Sequence, residues 1–356
     1  MCALPAYGWE NLIEIGVETT FGTAVAATRA FRPISNSLVS TDPVQGLSQV
    51  TGSPVALRHE AVIPREWKPV PEVRGTLELH VDQSDVPLLI MLAMGGRNAI
   101  EYVKSGPVDT TAYTHANAFP VVTAADMPSS LTIIEQNGQE DKTFAGCMIN
   151  SLEIVADESD LIRARIDILG QTMTRGNVAA AASISTTPLL QLYESQMRLD
   201  TAGPGQTMTG ADNKGNVQSW SLMVENNLRA IPSSGVGVRG IRRPIYDDYR
   251  RVAMTVKTDW ESNTYQDLIY SLGDPNAYVT LEMLLTSGTL ITGAAATFYN
   301  HIFRLPAARA ISGPVSHGGG AGVIPEEITF EAASWTTPAE IFEYTVVNGQ
   351  AADYIV

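Results

Sequence analysis

The chain has 356 residues, a formal charge of −15, 44% hydrophobic residues and only 17% charged ones. That balance excludes a largely disordered chain, which would combine low hydrophobicity with high charge density. It also weighs against a surface built to grip nucleic acid, because phosphate binding needs a basic face. The 29 glycines and 20 prolines speak against a helix-only architecture, and two cysteines, Cys2 and Cys147, cannot make a disulfide framework. The N-terminus lacks a basic leader, and the longest apolar run, Val86–Met94, is far short of the ~20 residues that span a bilayer. A soluble chain made in a cytoplasm, without a membrane partner, is the expectation.

In chain order, a first strand is expected around Phe31–Val39, followed by a long loop from Ser40 to Glu72. Leu77, Leu79 and Val81 then alternate with Thr76, Glu78 and His80, the period of a half-buried strand. A short helix should start near Asp85 as N-cap, with Pro87 in its first turn and Leu88, Met91 and Leu92 on one face. Gly95 and Gly96 would close it. Further strands follow at Leu131–Glu135, Asn150–Ala156 and Leu161–Leu169.

The small-residue stretch Arg175–Thr187 reads as a linker, and the sequence then repeats the same order. Val217–Asn226 is a strand, Asn227 to about Tyr249 a long loop, and Val252, Met254 and Val256 a second alternating strand. A helix capped by Asn263 places Tyr265, Leu268, Ile269 and Leu272 on one face and ends at Gly273. Strands at Val279–Leu285, His301–Leu305 and Ile328–Ala332 complete the chain.

Arg74–Gly96 and Arg251–Gly273 align without a gap at an offset of 177, placing Leu77 on Met254, Asp82 on Asp259 and Gly96 on Gly273. A chance echo of one strand–helix unit is the competing reading; the matching loops on both sides favour duplication. The fold class is therefore mainly β, a tandem pair of β-sandwiches or barrels with one flanking helix per copy. The limits are an N-terminal arm 1–30, a first β-domain 31–175, a linker 176–187 and a second β-domain 188–356.

Catalytic motifs do not emerge. The five histidines lack metal-ligand spacing, and there is no Cys-x-x-Cys or P-loop. The formal G-x-G-x-x-G at Gly235, Gly237 and Gly240 is followed by Pro244, which blocks the helix a dinucleotide site needs. No cofactor or metal is implied, and the chain reads as a non-enzyme. One cluster stands out: Arg239, Arg242, Arg243, Arg250 and Arg251 lie in and beside the second long loop. Arginine suits bidentate pairing with carboxylates across an interface, and on an acidic chain the nearest partner is another copy. Together with Trp9 and Trp67, these arginines are the candidate inter-subunit contacts.

Gly16, Glu18, Thr19, Gly22, Thr23, Ala24 and Val25 form a "G-x-E-T-x-x-G-T-A-V" stretch. It resembles the N-terminal segment of bacteriophage tail tube (major tail) proteins. Arg74–Leu79, Gly146–Ile154, Ser219–Leu228 and Ile302–Pro306 are similar to later parts of that family, in order. The resemblance implies a virion protein assembled in the host cytoplasm, whose rings stack into a tube that conducts double-stranded DNA at ejection. It implies a tape-measure protein and tail-end proteins as partners, and long loops and terminal arms that reach the next ring. The length leans toward a non-contractile, siphovirus-type tail. With two tube folds per chain, three chains would complete a pseudo-six-fold ring; a ring of six chains is the alternative. Acidic residues, rather than the arginine cluster, are expected to face the channel. Residues 1–30, 40–72 and 227–249 are expected to order only on assembly. A terminator, joining or distal tail protein and a carbohydrate-binding β-protein remain the other readings.

Overall fold

The computed structural model describes residues 11–40, 46–47, 66–67, 72–95, 103–109, 112–118, 128–136, 141–158, 161–176, 182–209, 213–214, 217–233, 240–259, 267–268, 278–294, 296–313, 325–333 and 341–351. Alternation of apolar and polar side chains drives most of this length into strands. The first part of the chain forms β1 (Leu12–Val17), β2 (Arg29–Phe31), β3 (Ser35–Asn36), β4 (Val39–Ser40), β5 (Gly46–Leu47), β6 (Glu66–Trp67) and β7 (Val73–His80). Helix α1 (Val86–Met94) follows, then β8 (Val103–Asp109), β9 (Ala112–Ala118), β10 (Leu131–Gln136), β11 (Lys142–Ala156), β12 (Arg163–Gly170) and β13 (Thr172–Arg175). The second part forms β14 (Ser195–Asp200), β15 (Asn213–Lys214), β16 (Val217–Glu225), β17 (Leu228–Pro232), β18 (Ile241–Tyr246) and β19 (Arg251–Asp259). It ends with β20 (Val279–Leu290), β21 (Phe298–Ser312), β22 (Pro325–Ala332) and β23 (Glu343–Asn348).

The same order of antiparallel pairing is traced twice. In the first unit β1 pairs with β10, β10 with β11, β11 with β12, β12 with β7, and β7 with β3 and β4. In the second, β14 pairs with β20, β20 with β21, β21 with β22, β22 with β19, and β19 with β16. The short partners correspond as well: β2 lies on β1 as β15 lies on β14, and β13 lies on β11 as β23 lies on β21.

Two bulges fix this correspondence to the residue. The ladder between β10 and β11 slips between Leu131↔Cys147 and Ile133↔Phe144, and that between β20 and β21 slips between Val279↔Ala308 and Leu281↔Leu305. A second slip falls between Ile149↔Ile168 and Ser151↔Asp167, matched by Ala310↔Phe330 and Ser312↔Thr329. Both bulges place Cys147 on Ala308 and Ile149 on Ala310. Followed through the ladders, Leu77 then falls on Val256, not on Met254 as the gapless alignment has it. The displacement is two residues, which leaves every side chain on the same face of its strand.

The bent strands β11 and β21, each of 15 residues, carry the architecture. Each changes partners along its length: β11 pairs with β10 and β13 before its corner and with β12 and β16 beyond it, and β21 with β20 and β23 before its corner and with β22 beyond it. β11 turns at Gly146, whose φ of +68° favours glycine. The buried Glu18 carboxylate holds that corner. It accepts from the Gly146 N–H (2.8 Å), the Thr132 hydroxyl (3.0 Å) and the Gly22 N–H (2.9 Å). β21 turns beside Pro306, which has no N–H to lose. The Pro306 carbonyl accepts from the Gly205 N–H (2.8 Å) and the Thr280 hydroxyl (3.1 Å). Thr132 and Thr280 are equivalent through the ladders, and each also accepts a backbone N–H, from Val25 and Gln206 respectively.

The core is continuous through both units, from Ile13, Leu77 and Ile154 to Trp220, Phe303 and Phe330. Helix α1 lies wholly within it. All nine of its residues are buried, which corrects the expectation of a flanking helix with one apolar face. A helix apolar on every side belongs in an interior. Its N-terminus departs from the sequence reading too. Asp85 occupies the cap position without bonding the helix; Asp82 accepts from the Asp85 N–H (2.9 Å) and the Val86 N–H (2.8 Å) instead. Asp85 pairs with Arg29 at 2.6 Å. Of the second expected helix, residues 267 and 268 are helical and Leu268 packs on the core; Asn263, Tyr265 and Gly273 lie outside the described residues.

Segments read as arm, linker and loop contain ordered structure. Within 1–30, β1 and part of β2 pair into the first unit. Within 176–187, the Ala182 N–H donates to Glu14 at 2.6 Å. The two long loops contain the hairpins β5–β6 and β17–β18. β8 and β9 form a hairpin that has no counterpart among the described residues of the second unit, and β9 extends that unit's sheet by pairing with β23.

Replacing Glu18 by Ala strands two backbone N–H groups and a hydroxyl at the β11 corner, and buried unsatisfied groups cost about 1–3 kcal/mol each. The expected loss is about 3 kcal/mol or more, read as a lower urea midpoint with an unchanged slope.

Candidate assembly site

The two units meet along one ladder. Ser151 to Ala156 of β11 pair antiparallel with Glu225 to Trp220 of β16. This joins the edge that closes the first unit to the edge that opens the second. It is a head-to-tail contact inside one chain, and it merges eight strand positions, β3/β4–β7–β12–β11–β16–β19–β22–β21, into one sheet.

Side chains lock the joint. Asn226 is fully buried and donates through Nδ2 to the Ala93 carbonyl (2.9 Å) and the Ile149 carbonyl (2.8 Å). Its N–H donates to the Asn150 carbonyl at 2.8 Å, and the Asn150 side-chain oxygen accepts from the Leu228 N–H at 2.7 Å. Arg250 donates through Nε to Asn226 (2.8 Å) and through Nη2 to the carbonyls of Ala93 (3.1 Å) and Met94. Its guanidinium lies over the Tyr246 ring at 5.2 Å. The second unit thus caps the C-terminus of the first unit's buried helix, where open carbonyls and the helix dipole favour a cation.

The face of the long sheet turned away from the core is polar, and charges of both signs alternate across it. One row runs from edge to edge: Ser35, Glu78, Arg165, Glu153, Met223, Ala253, Glu331 and Arg309, each opposite the next. Along its strands the face carries six basic residues, Arg74, Arg163, Arg165, Arg251, Lys257 and Arg309. It carries seven acidic ones, Glu78, Glu153, Asp167, Glu225, Asp259, Glu327 and Glu331. Arg251 pairs with Glu331 at 2.6 Å and lies 4.0 Å from Glu225; Arg163 pairs with Asp157 (3.0 Å) and Glu78 (3.5 Å). Each half-exposed pair contributes little stability, about 0–1 kcal/mol, but together they neutralise the face.

The described arginines of the cluster point to different places. Arg242 and Arg243 are exposed on β18, and Arg243 donates to the Pro128 carbonyl at 2.9 Å. Arg250 points inward to the joint, and Arg251 stands on the polar face. Trp67 lies in β6, while Trp9 and Arg239 lie outside the described residues. The joint itself, with Asn150 and Asn226, was not anticipated. Its sequence signal is an asparagine pair, Asn226-Asn227, ending a strand of alternating polar and apolar residues.

A family model described as phage tail tube protein matches residues 8–332. No curated protein matches the chain.

Two outcomes test this geometry. Arg250→Met should uncap α1 and leave Asn226 short of a partner, lowering stability by about 2–4 kcal/mol in urea unfolding. Burial raises the Asp82 carboxyl to about 6. Its folded value lies above the unfolded one, so the folded state binds the proton more tightly. The cost of burying the charge is absent below about pH 4 and full above pH 6. Asp82→Asn keeps the accepting oxygen and removes this cost, so its stability relative to the parent should rise as pH goes from 4 to 7. A flat difference across that range would show that Asp82 does not titrate this way.

Proposed function

The chain belongs to the phage tail tube protein family, and from that premise we propose that three copies close into a ring and that rings stack into the tube through which viral DNA leaves. The observation that carries this reading is the pairing order traced twice along one chain. It is the pattern of an internal duplication, in which one chain supplies two tube folds already joined head to tail. Heterologous contacts of this kind generate closed rings when the rotation per step divides a full turn.

The size of such a ring follows from strand geometry. Eight strand positions per chain, at ~4.8 Å spacing and ~40° tilt, give three chains a closed sheet of ~48 Å backbone diameter. Subtracting a layer of side chains on each side, about half the ~10 Å spacing of packed sheets, leaves an opening of ~38 Å. That admits a DNA duplex with clearance.

The polar face of the long sheet is the wall of this channel in the reading proposed here. Its charges nearly cancel, so the acidic lining expected from composition gives way to a paired one, and Arg251 belongs to it. Such a wall neither releases counterions to hold phosphate nor repels the duplex strongly. The β17–β18 hairpin, standing outside the main sheet, and the loop that holds β5–β6 are the contacts to the next ring. Tape-measure and tail-end proteins are the further partners. The role is structural, in the virion tail, and no catalysis enters it.

Native mass of isolated rings and image symmetry of concentrated protein test the stoichiometry. Three chains per ring with pseudo-six-fold density is the expected result; six chains per ring would reject the trimer.

A further inference from the structure

The strands of the long sheet begin and end in different surroundings. Through the ladders, Arg74, Ser151, Glu225 and Arg251 lie toward one end of the strands, and His80, Arg163 and Val155 toward the other. Helix α1 runs between the same two ends. Asp82 holds its N-terminus just past His80, and Arg250 holds its C-terminus just before Arg251. At the Arg251 end stands Tyr249, 91% exposed, more than any other large hydrophobic side chain among the described residues. Its backbone is fixed: its N–H donates to Asp248 Oδ1 at 2.7 Å, and its carbonyl accepts from the Asn227 side chain. Asp248 is exposed beside it, and among the described residues no cation pairs with that carboxylate. At the His80 end, residues 182–190 cross β2 and the end of β7, through the Ala30–Ile184 bridge and the Leu190 N–H to the Val81 carbonyl (3.0 Å). They leave a half-open cavity of about 160 Å³ beneath them. Phe31, Leu79, Ile184 and Leu189 give it apolar walls. Arg32 also lines it; this residue is exposed and has no carboxylate partner among the described residues.

We infer that Tyr249 of one copy seats in this cavity of a copy in the next ring, with its neighbour Asp248 against Arg32. This contact rests on the stacked-ring reading above and gives it a named residue on each side. Strands tilted by ~40° run mainly along the axis of a closed sheet. Rings stacked in one orientation therefore bring the Arg251 end of one sheet to the His80 end of the next. The projecting side chain and the cavity lie at those two ends, off opposite termini of α1, so the pairing is head to tail. The sizes agree, since an apolar cavity of about 150 Å³ accepts a benzene ring. The charges agree as well: an unpaired carboxylate beside the ring meets an unpaired guanidinium beside the cavity. Arg32 can also lie over the seated phenol, as Arg250 lies over Tyr246 at 5.2 Å within the chain. Tyrosine suits such an anchor because it brings a large contact area with few rotatable bonds. Tyr249 and residues 182–190 each occur once per chain, not once per unit. The contact therefore tells the two units apart and fixes the rotation of one ring on the next, which pseudo-six-fold symmetry alone leaves open.

Tyr249→Ala is the direct test. The ring is exposed, so the monomer's urea midpoint should not move, and native mass should still show rings. The concentration needed for tubes, read by sedimentation and negative-stain images, should rise roughly tenfold or more. Arg32→Asp and Asp248→Arg should each weaken stacking, and the two combined should restore it. An Arg32→Cys, Asp248→Cys variant in a Cys2→Ser background, assembled and treated with a short bismaleimide, should give a ladder of covalently joined chains. Either single variant should give only monomers, because the remaining cysteine, Cys147, is buried. Unaltered tube formation by Tyr249→Ala, or charge exchange without rescue and cysteines that stay unlinked in intact tubes, would overturn the contact and leave the tube reading intact. Loss of rings along with tubes from Tyr249→Ala would also overturn it, because Tyr249 would then act within the ring. A parent protein that forms neither rings nor tubes would overturn both readings.

Discussion

The ladder between β11 and β16 is the constraint on which the rest depends. A sandwich unit of this size has two sheet edges that must be covered or paired, because unsatisfied backbone groups are costly and open strands invite unwanted partners. Here one chain settles one such edge internally, and the solution recruits everything near it. Asn226 saturates backbone carbonyls on two elements, Arg250 closes the end of α1, and α1 in turn fills the space between the sheets. Neither unit has a complete interior without the other. That argues for one cooperative folding unit, even though the pairing pattern divides cleanly in two.

The two units reach the same topology by different local chemistry. The corner of β11 uses a left-handed glycine and a buried carboxylate; the corner of β21 uses a proline and a threonine hydroxyl. What stays constant is the position of the bulges and the threonine beside the first of them, Thr132 and Thr280. A bulge shifts every pairing beyond it, so moving one would turn a face of apolar residues to solvent. A corner needs only that its few backbone groups find partners, and several side chains meet that need. Register is therefore shared by the two units where their corner chemistry differs.

How much was legible in the sequence follows from the same physics. The alternation at Leu77–Val81 and Val252–Val256 located β7 and β19, and their flanking strands followed. The period of two also set the limit: a slip of two residues leaves the pattern intact, so alignment alone put Leu77 on Met254 where the ladders put it on Val256. β1 was hidden because its polar residue, Glu14, is buried by the linker segment, so Leu12–Val17 does not read as half-exposed. Helix α1 was found but misplaced, since three apolar positions on one face do not reveal that the other six residues are also covered. The second long loop gave no alternating signal because β17 and β18 form an isolated two-stranded ribbon with few buried side chains. The joint was illegible in a stronger sense. It joins β11 and β16, well separated in sequence, and its key side chains are ordinary asparagines whose role exists only in three dimensions.

The charge of the chain gains a location from the structure. The formal balance is −15, yet the polar face of the long sheet, with six basic and seven acidic residues along its strands, is close to neutral. The acidic excess therefore lies elsewhere, on the remaining surface and loops. In the ring proposed above this face looks onto DNA, and Arg163 and Arg251, already paired with carboxylates, have less field left for phosphate. Outer surfaces answer to a different requirement. There, a net negative charge would keep assembled copies apart from one another and from nucleic acid. In the proposed ring, that division sets a near-neutral face toward the channel and leaves the acidic excess to the rest of the chain.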